Sequence, residues 1–387
     1  MKKLLLVLFV LLPVLSFAAG QGEADEGPIK IGAILDLSGP TSVWGNAVNR
    51  GAELAVEQIN ADGGVLGREL ELVSYDVKLN PQEAITAYNR LADQDGAVAV
   101  VGPPISNIGL SVAPVTEQKG IPIVGSFIDP RATTQENGEP WENMFLMQPS
   151  SVQYSEIIAD FALTELDLDN LAIMYDQSNA FSVSLVEPFR NYVEANGGSI
   201  AIEVNYTGGD RDFRTQLNQI ANSDADGVYL PIYIQEAVLT LQQAQQVGLD
   251  MPIIGGLDFA PPFTDLLPDA TLADGIYVAN NYSESEPQLV DVRAAYVEMF
   301  DEEPINKAYL GYDKILIIAD AIRRAGSADP VAVSAAIEET SGLAATTGTI
   351  TISEETHRPV GLSMVMYQID GGDYVEIGRH VPESHQQ

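Results

Sequence analysis

IKIGAILDLSGPTSVWGNAVNRGAELAVEQINADGGVLGRELELVSYD, running from Ile29 to Asp76, holds the alternation that decides the fold. Pro28 to Asp36 reads as a buried strand, and Val48, Ala52, Ala55 and Ile59 then recur at helical spacing. That helix stops at Asp62-Gly63-Gly64, where glycine takes the left-handed cap conformation without a Cβ penalty. Glu69 to Tyr75, ELELVSY, alternates as a strand does. A strand, a helix and a second strand in direct succession form a unit that pairs its strands in parallel.

Outward from this unit the alternation continues. Asn80-Pro81-Gln82-Glu83 opens a helix with a capping side chain, a proline at the first position and a glutamate three residues on. Ala97 to Gly102 and Ile121 to Gly125 follow as short buried strands. A second series begins near Phe145. Its helices are predicted at Ser151 to Leu166, Phe181 to Asn196, Phe213 to Ile220 and Gln235 to Val247, and its strands at Asn170 to Tyr175, Ser199 to Tyr206, Gly227 to Leu230 and Pro252 to Gly255. The last third returns to helices at Gln288 to Phe300, Leu310 to Ala325 and Pro330 to Glu339. It closes with strands at Thr347 to Ser353, Ser363 to Ile369 and Tyr374 to Ile377. The expected class is therefore α/β, with two doubly wound parallel-sheet lobes. In such sheets ligands bind beyond the carboxyl ends of the strands, so the loops after Leu35, Gly102, Gly125, Tyr175, Leu230 and Gly256 are the candidates.

At 387 residues, 46% of them hydrophobic and 19% charged, the chain has globular composition and exceeds the usual single-core size. Lys2 and Lys3 precede an apolar run, Leu4 to Leu15, and small residues follow at Ser16, Ala18 and Ala19. Residues 1–19 read as a signal peptide and 20–27 as a linker, which predicts export to the periplasm. There is no cysteine, which excludes disulfides, thiolate zinc sites and thiol nucleophiles, and leaves no residue for a lipid anchor. The formal charge is −36, from 55 acidic against 19 basic residues. Such a field repels nucleic acid and anionic lipid.

Several stretches carry a resemblance to a known family: Ile29 to Asp76, then NPQEAITAYNRLADQDGAVAVVG, GDRDFRTQLNQIANSDADGVYL with QEAVLTLQQAQQVGL, AYLGYDKILIIADAI and the TGTITIS strand. Over roughly Pro28 to Ile377 the chain resembles the periplasmic binding proteins of branched-chain amino acid ABC transporters, which have the type I binding-protein fold. The resemblance implies one lobe from residues 28–147 and 281–354, and a second from 148–280 and 355–387, joined by a three-crossing hinge. It implies capture of an amino acid, branched-chain or related, between the lobes, and delivery to the permease and ATPase subunits of a transporter. It also implies a monomer without cofactor or metal.

The family's binding positions fall on particular residues. Trp44, beside Gly45 in the first loop, matches an aromatic cover for the ligand side chain; by itself it reads as a pocket wall or, second, as a loop-packing anchor. Ser106, in GPPISNIG, matches the serine that holds the ligand carboxylate at a helix start, where N–H groups and the dipole attract an anion. A plain capping role is the other reading of that serine. In GSFIDPRAT, Ser126 and Phe127 fall in a loop of hydroxyl and backbone contacts. Ile128 or Asp129 takes the place of the family's threonine, and Phe127 is expected to narrow or tilt the pocket. Phe181 matches an aromatic wall, and Tyr233 a tyrosine facing the ligand ammonium. Asp258, in GGLDFAPP, matches the acid that pairs with that ammonium, one residue later than usual.

Catalytic signatures are missing: no G-x-S-x-G elbow, no phosphate-binding G-x-x-x-x-G-K loop and no H-E-x-x-H. The three histidines, His357, His380 and His385, cluster near the C-terminus and are expected on the surface. An exported hydrolase is thereby disfavoured, and no enzyme is expected. A binding protein or sensor for an amide, urea, an aromatic acid or another small solute is the alternative on the same fold.

Overall fold

The computed structural model describes residues 27–283, 285–361 and 363–382, so the candidate signal peptide and most of the linker lie outside the described residues. The first sheet is built from β1 (Ile29–Leu35), β2 (Leu70–Asp76), β3 (Ala99–Val101), β4 (Ile123–Gly125) and β5 (Met144–Leu146), in the order β2-β1-β3-β4-β5 with every neighbour parallel. Helices α1 (Ser42–Ala61), α2 (Pro81–Arg90) and α3 (Ser106–Lys119) connect its first four strands. The capping signal at Asn80 is real: its side chain accepts from the amides of Gln82 and Glu83, with Pro81 at the first helical position.

The second sheet repeats the pattern. After α4 (Ser151–Thr164) come β6 (Asn170–Asp176), α5 (Ala180–Ala195), β7 (Ser199–Tyr206), α6 (Arg214–Ala221), β8 (Gly227–Leu230), α7 (Ile234–Val247), β9 (Ile253–Gly255) and β10 (Tyr277–Asn280). Helix α4 opens with a full capping box between Ser150 and Gln153. The chain then runs through α8 (Pro287–Phe300), α9 (Asn306–Ala325), α10 (Pro330–Glu338) and a two-stranded ribbon, β11 (Leu343–Ala345) and β12 (Gly348–Ile350). It returns to the second sheet as β13 (Met364–Asp370) and β14 (Asp373–His380), which pair antiparallel. The sheet order is β14-β13-β10-β9-β8-β6-β7. The chain thus passes between the sheets after β5, after β10 and between β12 and β13.

In each sheet the chain order reverses beside the first strand laid down: β1 lies between β2 and β3, and β6 between β7 and β8. These are the two switch points where crevices open at the carboxyl ends of strands. Strands β3, β4, β5 and β8 are buried along their whole length, as parallel strands covered on both faces must be.

Helix α9 lies against α1 at unusually short range. A Cβ on Gly51 would stand 1.8 Å from the Ala308 carbonyl oxygen, and one on Gly311 2.1 Å from that of Val48. Only glycine at both positions permits this crossing. The helix starts at Asn306, four residues before the start expected at Leu310, and the extra turn carries Lys307. Strands β5 and β10 were likewise not foreseen. They span three and four residues.

Candidate binding cleft

The first wall of the cleft comes from loops of the first sheet. After β1 the Asp36 carboxylate folds the chain back, accepting from the Gly39 amide at 2.6 Å, the Thr41 amide at 2.8 Å and the Thr41 hydroxyl at 2.6 Å. That turn sets Trp44 on the first turn of α1, 5% exposed. After β3, Ser106 is the first helical residue of α3, while Ile105 holds the capping position without a side-chain hydrogen bond. Ser106 is therefore not the cap. Its Oγ accepts from the amides of Ile128 and Asp129, at 3.3 Å each, and so ties the helix start to the loop after β4.

That loop sorts its side chains differently from expectation. The Ser126 Oγ, 1% exposed, accepts from Lys314 Nζ at 2.8 Å, and the Ser126 carbonyl accepts from Gln148 Nε2. Phe127 does not narrow the cleft. Its ring is fully buried in the first lobe, packed where a side chain on Gly109 or Gly125 would otherwise stand. Ile128 sinks into the cluster that contains Tyr154, Ile157 and Phe181. Asp129, the other candidate for the threonine place, is occupied: its carboxylate takes the Arg131 guanidinium and the Arg131 amide.

The second wall comes from the equivalent loops of the second sheet. Phe181 lies at the start of α5, its amide donating to Asn179 Oδ1 at 2.9 Å. Tyr233 immediately precedes α7 and stacks on Phe181, with ring centroids 5.0 Å apart at 29°. Its other ring contact is Trp44, edge-on at 5.5 Å and 68°. The three aromatic residues thus run from one lobe into the other, in the offset and edge-to-face geometries that ring quadrupoles favour. The Asn107 side chain accepting from the Ala180 amide at 3.0 Å, and Gln235 donating to the Pro40 carbonyl, also join the two walls.

Asp258 follows β9, is 6% exposed, and its Oδ2 has no hydrogen-bond partner among the described residues. Burial pushes its carboxyl up to about 7; Lys307 pulls in the other direction, and Glu236 adds a smaller upward push. A buried acceptor left without a donor is costly, on the order of 1–3 kcal/mol, and marks a place where a donor is expected.

Two cleft residues escaped the sequence reading. Lys307 and Lys314 lie two turns apart on α9, 6% and 0% exposed. Lys314 Nζ donates to the Gly102 carbonyl at 3.0 Å and to Ser126 Oγ, so it underlies the ends of both β3 and β4. Burial holds the Lys314 amine well below the usual lysine range, and the neighbouring Lys307 charge lowers it further. Burial also lowers Lys307, while Asp258 raises it. Neither lysine makes an ion pair within 4.0 Å among the described residues. A seven-residue spacing of lysines, two turns apart on one helix face, was the available signal, hidden because the predicted helix began after Lys307.

The histidines correct another expectation. His357 is 2% exposed, stacked on Phe145 at 4.4 Å, with Nδ1 2.9 Å from the Trp141 carbonyl oxygen and Nε2 3.2 Å from Glu338. His380 is half-buried against Asp160, Nε2 to Oδ2 2.8 Å. Each fills a packing role outside the cleft; His385 lies outside the described residues. Among the described residues no group of three or more His, Asp or Glu side chains is placed to hold a metal ion. A groove runs along α4 and α5, lined by Val152, Val183, Pro188 and Tyr192, and reaches Asp129, Pro130 and Arg131 of the loop after β4.

Two repeated sheets, with facing loops at their switch points, define a bilobed binding protein. A profile of the periplasmic binding protein family matches residues 28–373, and the chain belongs to that family. A Leu/Ile/Val-binding protein homolog of Brucella melitensis is 28% identical over 352 residues, covering 89% of this chain and 93% of that protein. The leucine-binding protein LivK of Thermotoga maritima superposes with a TM-score of 0.83 at 26% identity, covering 92% of this chain and 99% of that one. LivJ of Streptococcus pneumoniae, in complex with isoleucine, gives 0.81 at 26% identity, covering 91% and 99%. The fold is that of the type I periplasmic binding proteins, a family of solute-binding proteins rather than of enzymes.

Proposed function

We propose that this protein captures an α-amino acid, branched-chain or related, between its two lobes and delivers it to an ABC transporter. The observation that carries this reading is the polarity of the cleft. The first lobe offers Ser106 and Ser126, the latter backed by the Lys314 amine, to a carboxylate, while the second offers the unpartnered Asp258 carboxylate to an ammonium. Trp44, Phe181 and Tyr233 enclose the side chain between them. A ligand that touches both walls favours the arrangement in which they meet, and a permease that reads only that arrangement receives loaded protein. In this reading residues 1–19 direct export, the mature chain works in the periplasm as a monomer without a lipid anchor, and the permease and ATPase subunits are its partners. The relatives' names support an amino acid as the solute class.

A thermal-shift panel of amino acids, small amides and aromatic acids tests the proposal. A ligand that binds only the native state raises Tm, by about 2.7 kcal/mol of added stability at a hundred times Kd. At least one α-amino acid raises Tm, and its amide and N-acetyl derivatives do not. A panel in which only amides or aromatic acids act would overturn the amino-acid assignment.

A further inference from the structure

We infer that the solute is an acidic α-amino acid, its side-chain carboxylate seated on Lys307. This deepens the proposed function and rests on it. Lys307 is buried, makes no hydrogen bond or ion pair among the described residues, and lies on α9 of the first lobe, yet the opposite charge that acts on it is Asp258 of the second. An ammonium has three N–H donors and no acceptor, so a buried lysine without partners requires an anionic or carbonyl oxygen from elsewhere. Asp258 shows the converse lack, an Oδ2 without a donor. The two groups feel each other's charge yet form no ion pair within 4.0 Å among the described residues, and a ligand carrying both a donor and an acceptor would satisfy both.

The α-carboxylate has its own place. Lys314 donates to Ser126 Oγ from beneath, which leaves the Ser126 hydroxyl hydrogen free to be donated to a ligand carboxylate. Lys307 is a second cationic point, displaced two turns, about 10 Å, along the same helix face. When a ligand ammonium occupies Asp258, Lys307 loses its one opposing charge. A neutral side chain would leave it buried without an acceptor, whereas a side-chain carboxylate restores the balance. Glu236, half-buried on α7, adds a second acidic group near Asp258; its Oε2 is buried without a hydrogen-bond partner among the described residues, and burial raises its carboxyl, which disfavours its charge.

The test is titration calorimetry of the mature protein with glutamate, aspartate, glutamine and leucine, on wild type and Lys307→Met. Glutamate and glutamine differ almost only in the charge of interest. The expected result is that glutamate or aspartate binds wild type at least about tenfold more tightly than glutamine or leucine. Lys307→Met should erase that preference. The variant keeps the length of the stem, and a circular-dichroism melt confirms that it folds. The wild-type comparison decides independently should the variant not fold. Leucine or glutamine binding as tightly as the acidic pair overturns the inference and leaves the amino-acid reading standing. So does a Lys307→Met variant that weakens all four ligands alike, which would make Lys307 the α-carboxylate anchor. Binding by none of the four overturns the inference, and the thermal-shift panel then judges the underlying reading by itself.

Discussion

The two lobes share one plan and differ in chemistry. Both order their first five strands identically, and both present the loops after their first, third and fourth strands to the cleft. In the first lobe those loops carry Trp44, Ser106 and Ser126; in the second, Phe181, Tyr233 and Asp258. The aromatic residues are equivalent, but beyond them the first lobe is hydroxylic with a lysine behind it and the second is aromatic and acidic. The fold provides the frame twice, and a few residues per lobe give the cleft two ends. In the proposed function these two ends orient a ligand with positive and negative groups before its side chain is read.

The comparison breaks most completely at Asp258. Asp258→Asn should weaken amino-acid binding by about a hundredfold or more in calorimetry, since truncating one partner of a buried charge pair costs about 2–5 kcal/mol. The unliganded variant should melt no lower than wild type at pH 8, because the fold already disfavours the charge there. An affinity within threefold of wild type would remove Asp258 from the site.

A smaller effect follows from the same carboxyl, held at about 7 mainly by burial. Its folded value lies above its unfolded one, so the proton it retains stabilises the fold at low pH. That contribution is lost as pH rises through about 7. Binding an ammonium needs the ionised form, so the affinity should fall as pH drops from 8 to 5, approaching about tenfold per unit below 7. Lys307, Glu236 and Tyr233 also face this carboxyl. The difference between wild type and Asp258→Asn, measured at each pH, isolates its share, and parallel pH profiles would contradict the assignment.

The smallest change sharpens the first lobe. Ser126→Ala leaves Lys314 with the Gly102 carbonyl as its one hydrogen-bond acceptor among the described residues. A buried donor so exposed costs about 1–3 kcal/mol, which a denaturant melt would resolve as a lower midpoint at unchanged slope. An unchanged midpoint would mean that Lys314 does not depend on the serine.

Much of this frame was legible in the residues. Strand and helix alternate from Ile29 with punctuation that physics makes readable: the Asn80-Pro81 start, the Gly63-Gly64 stop and the loops after each strand. What stayed hidden depends on which way a side chain turns. Phe127 and Ser126 are adjacent, and only packing against Gly109 and Gly125 decides that the ring goes inward while the serine meets Lys314. Lys307 was missed because the first turn of α9 has no capping side chain to announce it, and a lysine reads as solvated surface. His357 misled for the same reason, its burial coming from Phe145 and Trp141, far away in the chain.

The central claim is that the ligand lies across the cleft with its carboxylate on the first lobe and its ammonium on the second. A crystal structure of the protein loaded with its tightest-binding amino acid tests this most directly. The account predicts ligand carboxylate oxygens within hydrogen-bond distance of Ser106 or Ser126, and the ammonium on Asp258. A ligand bound in the reverse sense, or one that leaves Asp258 without a donor, would contradict it.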